Sequence, residues 1–73
     1  MIAGTKEIQI VVNGQLRAAA RGESLSALLA GLAVDPSRVA VELNRSIVRR
    51  EDWGTTEITD GATLEIVQFV GGG

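Results

Sequence analysis

Ile8-Gln9-Ile10-Val11-Val12-Asn13-Gly14-Gln15-Leu16-Arg17-Ala18-Ala19-Ala20 decides the fold, together with the stretch Gly22-Glu23-Ser24-Leu25-Ser26-Ala27-Leu28-Leu29-Ala30-Gly31-Leu32 that follows it. Ile8, Ile10 and Val12 alternate with Gln9 and Val11, the two-residue period of a half-buried strand. Asn13-Gly14 comes next, and both central residues of a type I′ hairpin turn take a positive φ, which Asn and Gly tolerate. Leu16, Ala18 and Ala20 alternate again as the returning strand. Gly22-Glu23-Ser24 breaks that pattern and offers Ser24 as a helix N-cap. Leu25, Leu28, Leu29 and Leu32 then fall on one helical face. Each is worth about 1.5–3 kcal/mol when buried, so the stripe is expected to supply much of the core. Gly31 weakens the last turn, and Asp35-Pro36 stops the helix, because Pro disfavours helical geometry in the residue before it.

Further along, Val39, Val41 and Leu43 alternate, and Asn44-Arg45-Ser46 turns the chain into a short Ile47-Val48 strand. Arg49-Arg50-Glu51-Asp52-Trp53-Gly54 reads as a charged connection with one aromatic anchor. Ile58 precedes a second turn signal, Asp60-Gly61, and Leu64, Ile66 and Gln68 alternate with Thr63, Glu65 and Val67 in the last strand. The order is hairpin, helix, then two or three further strands, an α+β layer pair. A right-handed crossover through the helix sets the final strand beside the first and parallel to it. The expected architecture is a β-grasp, a mixed four- to five-stranded sheet packed on one main helix. Residues 1–68 form its body and residues 69–73 a flexible glycine-rich tail.

Composition narrows the chemistry. Seventy-three residues make one small domain, too small for a deep catalytic cleft. The chain has no Cys and no His, which removes disulfides, Cys/His zinc sites, a thiol nucleophile and a histidine base. A net charge of −2 without a basic stripe argues against nucleic acid as a partner. No apolar run approaches the roughly 20 residues of a membrane span. The start lacks the charged and apolar segments of a secretory signal, so the expected location is the cytoplasm. No glycine-rich phosphate loop opens a helix, so the domain is not expected to bind ATP by itself. Glu7, Glu42 and Glu65 fall on polar positions of separate strands and read as a solvated face. Trp53 reads as a packing anchor with its ring buried and its N–H in water. Arg49-Arg50 and Glu51-Asp52 read as a salt-bridged corner.

The chemistry lies in Gln68-Phe69-Val70-Gly71-Gly72-Gly73. Three glycines bury nothing, and ordering each costs roughly 1–2 kcal/mol of conformational entropy. Five residues from Phe69 reach about 17 Å when extended. Without Cβ atoms, Gly71 and Gly72 fit a narrow channel and bring the backbone close to a wall or a nucleotide. The useful group at the tip is the α-carboxylate of Gly73, with a reference pKa of about 3.3–3.7. A carboxylate becomes reactive only after attacking an activated phosphate to form an acyl-adenylate, which calls for ATP, Mg²⁺ and a separate enzyme. On composition alone, a frayed or shortened end accounts for the glycines equally well. Phe69 and Val70 are either a last core contact or an exposed apolar handle for partners.

The run from Val39 to Trp53, then Asp60-Gly61, then Leu64-Glu65-Ile66-Val67-Gln68-Phe69-Val70-Gly71-Gly72-Gly73, resembles the thiamine-biosynthesis sulfur carrier family, ThiS. The Val12-Asn13-Gly14 hairpin and the Glu23-Ser24-Leu25 start of the helix are similar too, so the resemblance spans nearly everything from Ile8 onward. It implies a carrier that is a co-substrate and not an enzyme. On that resemblance, Gly73 is expected to be adenylated by an E1-like adenylyltransferase of the ThiF type and converted to a thiocarboxylate. The resemblance likewise implies sulfur from a donor such as a cysteine desulfurase and its delivery to thiazole synthase, the ThiG type. The carrier itself holds no cofactor tightly. Arg49 stands where the family often has Pro, and Met1 to Thr5 extend beyond its usual start. The small subunit of molybdopterin synthase shares the expected fold and the Gly-Gly end but typically has prolines before its tail. A non-conjugating β-grasp interaction module and a ubiquitin-like protein modifier are compatible with the same fold.

Overall fold

Asn13 and Gly14 reverse the chain with φ of 50° and 84°, joining strand β1 (Glu7–Val12) to an antiparallel β2 (Gln15–Ala20). The computed structural model describes residues 6–69, so Met1 to Thr5 and the Val70 to Gly73 segment lie outside the described residues. A two-residue turn sets the pairing: Val12 stands opposite Gln15, Ile10 opposite Arg17 and Ile8 opposite Ala19. Because Ile8 and Ile10 are buried, their partners share the inner face, and Ala19 is the buried residue of β2. Leu16, Ala18 and Ala20 do alternate along a returning strand, but on the outer face, where Leu16 is 73% exposed. Turn length, not the apolar pattern of β2 alone, fixes which side is which.

Helix α1 (Leu25–Gly31) starts as expected, with the Ser24 hydroxyl accepting from the Ala27 N–H at 3.1 Å. It closes at Leu32, and Ala33 with φ of 60° carries the chain out of helical geometry before Asp35-Pro36. A 3₁₀ turn over Pro36–Arg38 leads into β3 (Val39–Leu43). Asn44 and Arg45, both at positive φ, return the chain as β4 (Ser46–Val48). A second 3₁₀ segment, Arg50–Thr55, carries Trp53 into the core. Its indole N–H is not left to water: it donates to the Val48 carbonyl at 2.9 Å, and the Arg50 guanidinium lies 5.7 Å from the ring centroid. The charged corner is paired as expected, with Arg49 and Glu51 at 2.8 Å.

Residues 56–58 then run beside the start of α1. The Leu25 N–H donates to the Thr56 carbonyl at 2.8 Å and the Ile58 N–H to the Glu23 carbonyl at 2.9 Å, seating Ile58 in the core. The last strand, β5 (Thr63–Gln68), enters the centre of the sheet, whose order is β2-β1-β5-β3-β4. It runs parallel to β1 and antiparallel to β3. Five strands, one main helix and a parallel central pair are the β-grasp arrangement.

The leucine stripe is only part of the core. Leu25, Leu28 and Leu29 are buried and Leu32 half-buried, against Ile8, Ile10, Val39, Val41, Ile58 and Leu64 from the other elements. No buried side-chain nitrogen or oxygen is left without a partner among the described residues. No helix among them is long and apolar enough to cross a membrane.

Candidate functional site

The candidate site is the end of β5, which the glycine segment follows in the sequence. Hydrogen bonds along this strand go to its two neighbours in alternation, as strand geometry requires. Odd-numbered residues face β3: the Asn44 N–H donates to the Thr63 carbonyl and the Phe69 N–H to the Arg38 carbonyl, each at 2.7 Å. Even-numbered residues face β1, where the Asn13 N–H donates to the Leu64 carbonyl at 2.8 Å.

There β1 ends, and the Asn13 side chain takes its place. Its Oδ1 accepts from the Ile66 N–H at 2.7 Å, and its Nδ2 donates to the Ile66 carbonyl at 3.3 Å. On the β3 side, Asp35 shapes the last contact. Its Oδ1 accepts from the Ser37 N–H at 3.0 Å and from the Ser37 hydroxyl at 2.7 Å, and Arg38 pairs with it at 3.6 Å. The Ser37 hydroxyl, with the Ser37 N–H second, holds the Asp35 carboxyl below its ordinary value. The capped turn thereby presents the Arg38 carbonyl to Phe69.

The two sides of this strand end differ. On the inner side, a hollow of about 230 Å³ lies between Val12 and Ile66 of the sheet and Leu32 and Val34 beyond the helix, with Asn13 and Gln68 at its rim. On the outer side, Val67 and Phe69 are each 56% exposed, and Val67 stands opposite Ala40. Glu65 is directly opposite Glu42, which is opposite Ile47 on β4. The outer face near the strand end is thus apolar with two adjacent carboxylates. Glu7, Glu42 and Glu65 are all exposed. Among the described residues no group of three or more Asp or Glu side chains is placed to hold a metal ion.

Of the residues singled out in the sequence, Phe69 is therefore an exposed side chain on the outer face, not a core contact. Val70, Gly71, Gly72 and Gly73 lie outside the described residues. The sequence alone does not single out Asn13 beyond its turn, nor Arg38, Val67 and Ile47. The signal for Val67 and Ile47 is their position on the polar side of each strand's alternation. Asn13 carries none, because its side-chain bonds connect residues 53 positions apart.

Residues 10–73 match the ThiS family. The chain is 41% identical over 66 residues to a thiazole synthase of Paramagnetospirillum magneticum, a match covering 90% of this chain and 20% of that protein. It thus spans about a fifth of the length of the thiazole synthases it resembles. It is 32% identical to the sulfur carrier protein ThiS of Escherichia coli, covering 90% of this chain and 100% of that one. Its fold matches the crystal structure of the thiamine biosynthesis protein ThiS from Geobacter metallireducens with a TM-score of 0.79 at 32% identity, over 90% of this chain and 100% of that one.

Proposed function

The chain belongs to the ThiS family, and from that premise we propose that it is a sulfur carrier of thiamine biosynthesis, a protein co-substrate that presents its own terminal carboxylate. The observation that carries this reading is the central strand β5. It runs through the middle of the sheet, has its last backbone bond among the described residues at Phe69, and precedes Gly73 by four positions in the sequence. The body supplies a rigid mount and the tail supplies the reagent.

The Gly73 carboxylate attacks the α-phosphorus of ATP held with Mg²⁺ by an E1-like, ThiF-type enzyme, and pyrophosphate leaves. A sulfur nucleophile, ultimately from a donor such as a cysteine desulfurase, then attacks the acyl carbon. With a persulfide as that nucleophile, AMP departs to leave an acyl disulfide, and a thiol reductant then cleaves its S–S bond, releasing the thiocarboxylate and leaving a disulfide on the donor. A thiazole synthase takes the sulfur in turn, a partner suggested by the chain's similarity to part of proteins bearing that name. Gly71 and Gly72 give a thread without side chains, so recognition falls to the folded body. Phe69 and Val70 dock on these partners, and the exposed Val67 extends the same patch. The reaction places the protein in the cytoplasm with its ATP-using partner.

Incubation with an E1-like enzyme, ATP and a sulfur source is expected to replace one terminal oxygen by sulfur in the intact mass. An unchanged mass, under conditions that convert a known carrier, overturns the reading. Growth of a carrier-deletion strain without thiazole, restored by this chain, is the corresponding result in cells.

A further inference from the structure

We propose that Asn13 is a positioning residue for tail delivery: its side chain replaces the missing continuation of β1 and holds the root of the tail at Ile66. β1 and β5 are parallel, and their pairing stops at Val12 and Leu64. Without Asn13, β5 is held from Ile66 onward by β3 alone. The carboxamide closes both backbone groups of Ile66, accepting from its N–H at 2.7 Å and donating to its carbonyl at 3.3 Å. The next even residue, Gln68, directs its N–H and carbonyl to the same side, and nothing among the described residues pairs with them there. Asn13 is therefore the last rung on that flank among the described residues.

The turn and the rung are separable tasks. The turn needs positive φ at position 13, observed at 50°, and Gly or Asp also meets that need ahead of Gly14. Only a side-chain acceptor of this length meets the Ile66 N–H. The inference rests on the reading that Gly73 is handed to a partner enzyme. In that setting a root fixed before docking lowers the entropy lost on docking. A frayed root returns roughly one residue of backbone freedom, which corresponds to about a tenfold higher KM for the carrier. Turnover at saturation stays unchanged, because the bound tail is ordered by the enzyme's channel.

The test uses the full chain with N13G and N13D, an E1-like adenylating enzyme and ATP, with amide hydrogen exchange measured in parallel. In N13G the Ile66 amide is expected to lose protection while the amides of Ile8 and Ile10 keep theirs. The carrier's KM is expected to rise about tenfold, with kcat little changed. N13D keeps an acceptor for Ile66 and is expected to restore most of the protection and of the KM. Unaltered Ile66 protection in N13G, a KM equal to that of the natural chain, or an N13D as impaired as N13G each overturns the proposal. If N13G lowers global stability as well, the Ile66 amide measured against Ile8 and Ile10 in the same chain still decides, since global unfolding exposes all three alike and loss of the rung exposes Ile66 first. If the natural chain itself is not adenylated, the sulfur-carrier reading fails, whereas the exchange of Ile66 still reports whether Asn13 holds the strand.

Discussion

The backbone N–H of Phe69 donates to the carbonyl of Arg38 at 2.7 Å, five residues after Leu64, the last fully buried residue of the core. Among the described residues the fully buried core thus ends at Leu64, ahead of the glycines on which the proposed chemistry rests. Deleting Gly71 to Gly73 is expected to shift unfolding free energy by no more than about 0.5 kcal/mol, the range of ordinary surface changes. The same deletion is expected to abolish adenylation. A urea titration and an ATP–pyrophosphate exchange assay measure the two halves. A deletion that unfolds the domain would give the glycines a structural role and remove the basis of the proposed function.

Asp35 sets the acid limit of the tail's mount. Its folded carboxyl titrates below the ordinary value, first through the Ser37 hydroxyl and then through the Ser37 N–H. A depressed carboxylate contributes stability above its unfolded pKa and loses that contribution as pH falls through the folded value. The Pro36–Arg38 turn, and with it the Phe69–Arg38 rung, is expected to loosen below about pH 4. The difference in stability between the natural chain and D35N should be complete near neutrality and vanish in acid. A difference that persists at low pH would show that ionised Asp35 does not support the turn.

Trp53 joins the 3₁₀ segment to the sheet in two ways, by its buried ring and by the bond from its indole N–H to the Val48 carbonyl. W53F keeps most of the ring and loses the donor, an expected cost of about 0.5–1.5 kcal/mol. W53A leaves a cavity as well and is expected to cost about 3–5 kcal/mol. A domain of this size has a total stability near the lower end of the usual range of about 5–15 kcal/mol, so W53A should be marginal at best. Urea midpoints for the three chains check the order. Equal midpoints for W53F and the natural chain would make the N–H bond energetically idle.

The elements written by local chemistry are legible in the sequence. Asn13-Gly14 specifies its turn, Ser24 its cap, and the alternation of Val39, Val41 and Leu43 its buried face. Leu16 misleads because an apolar side chain in a strand says nothing about side until the register is set, and here the register comes from the turn. Trp53 is half legible: burial follows from its size, but the partner of its N–H depends on where the 3₁₀ segment folds back on Val48. Asn44-Arg45 reads as a turn, yet Arg45 at φ of 73° could not be foreseen, since Arg has no preference for that region. The site divides in the same way. The glycine thread is a local signal, whereas the Asn13–Ile66 and Phe69–Arg38 bonds join distant parts of the chain and exist only once the sheet has formed.

Exposure alone does not make a docking surface, and the outer face offers a control for this. Phe69 and Leu16 are both large, apolar and exposed, but Phe69 directly follows the central strand, whereas Leu16 lies on the edge strand β2, beyond β1. If partners grip the root of the tail, F69A should weaken complex formation with the adenylating enzyme by at least about 1 kcal/mol, roughly a fivefold rise in Kd. L16A should leave it within the error of the measurement, and neither change should move stability by more than about 0.5 kcal/mol, because both side chains already face water. Titration calorimetry with the adenylating enzyme separates them. Equal losses for both would extend the docking surface across the whole sheet, and no loss for F69A would leave the glycine thread and other parts of the body to carry recognition.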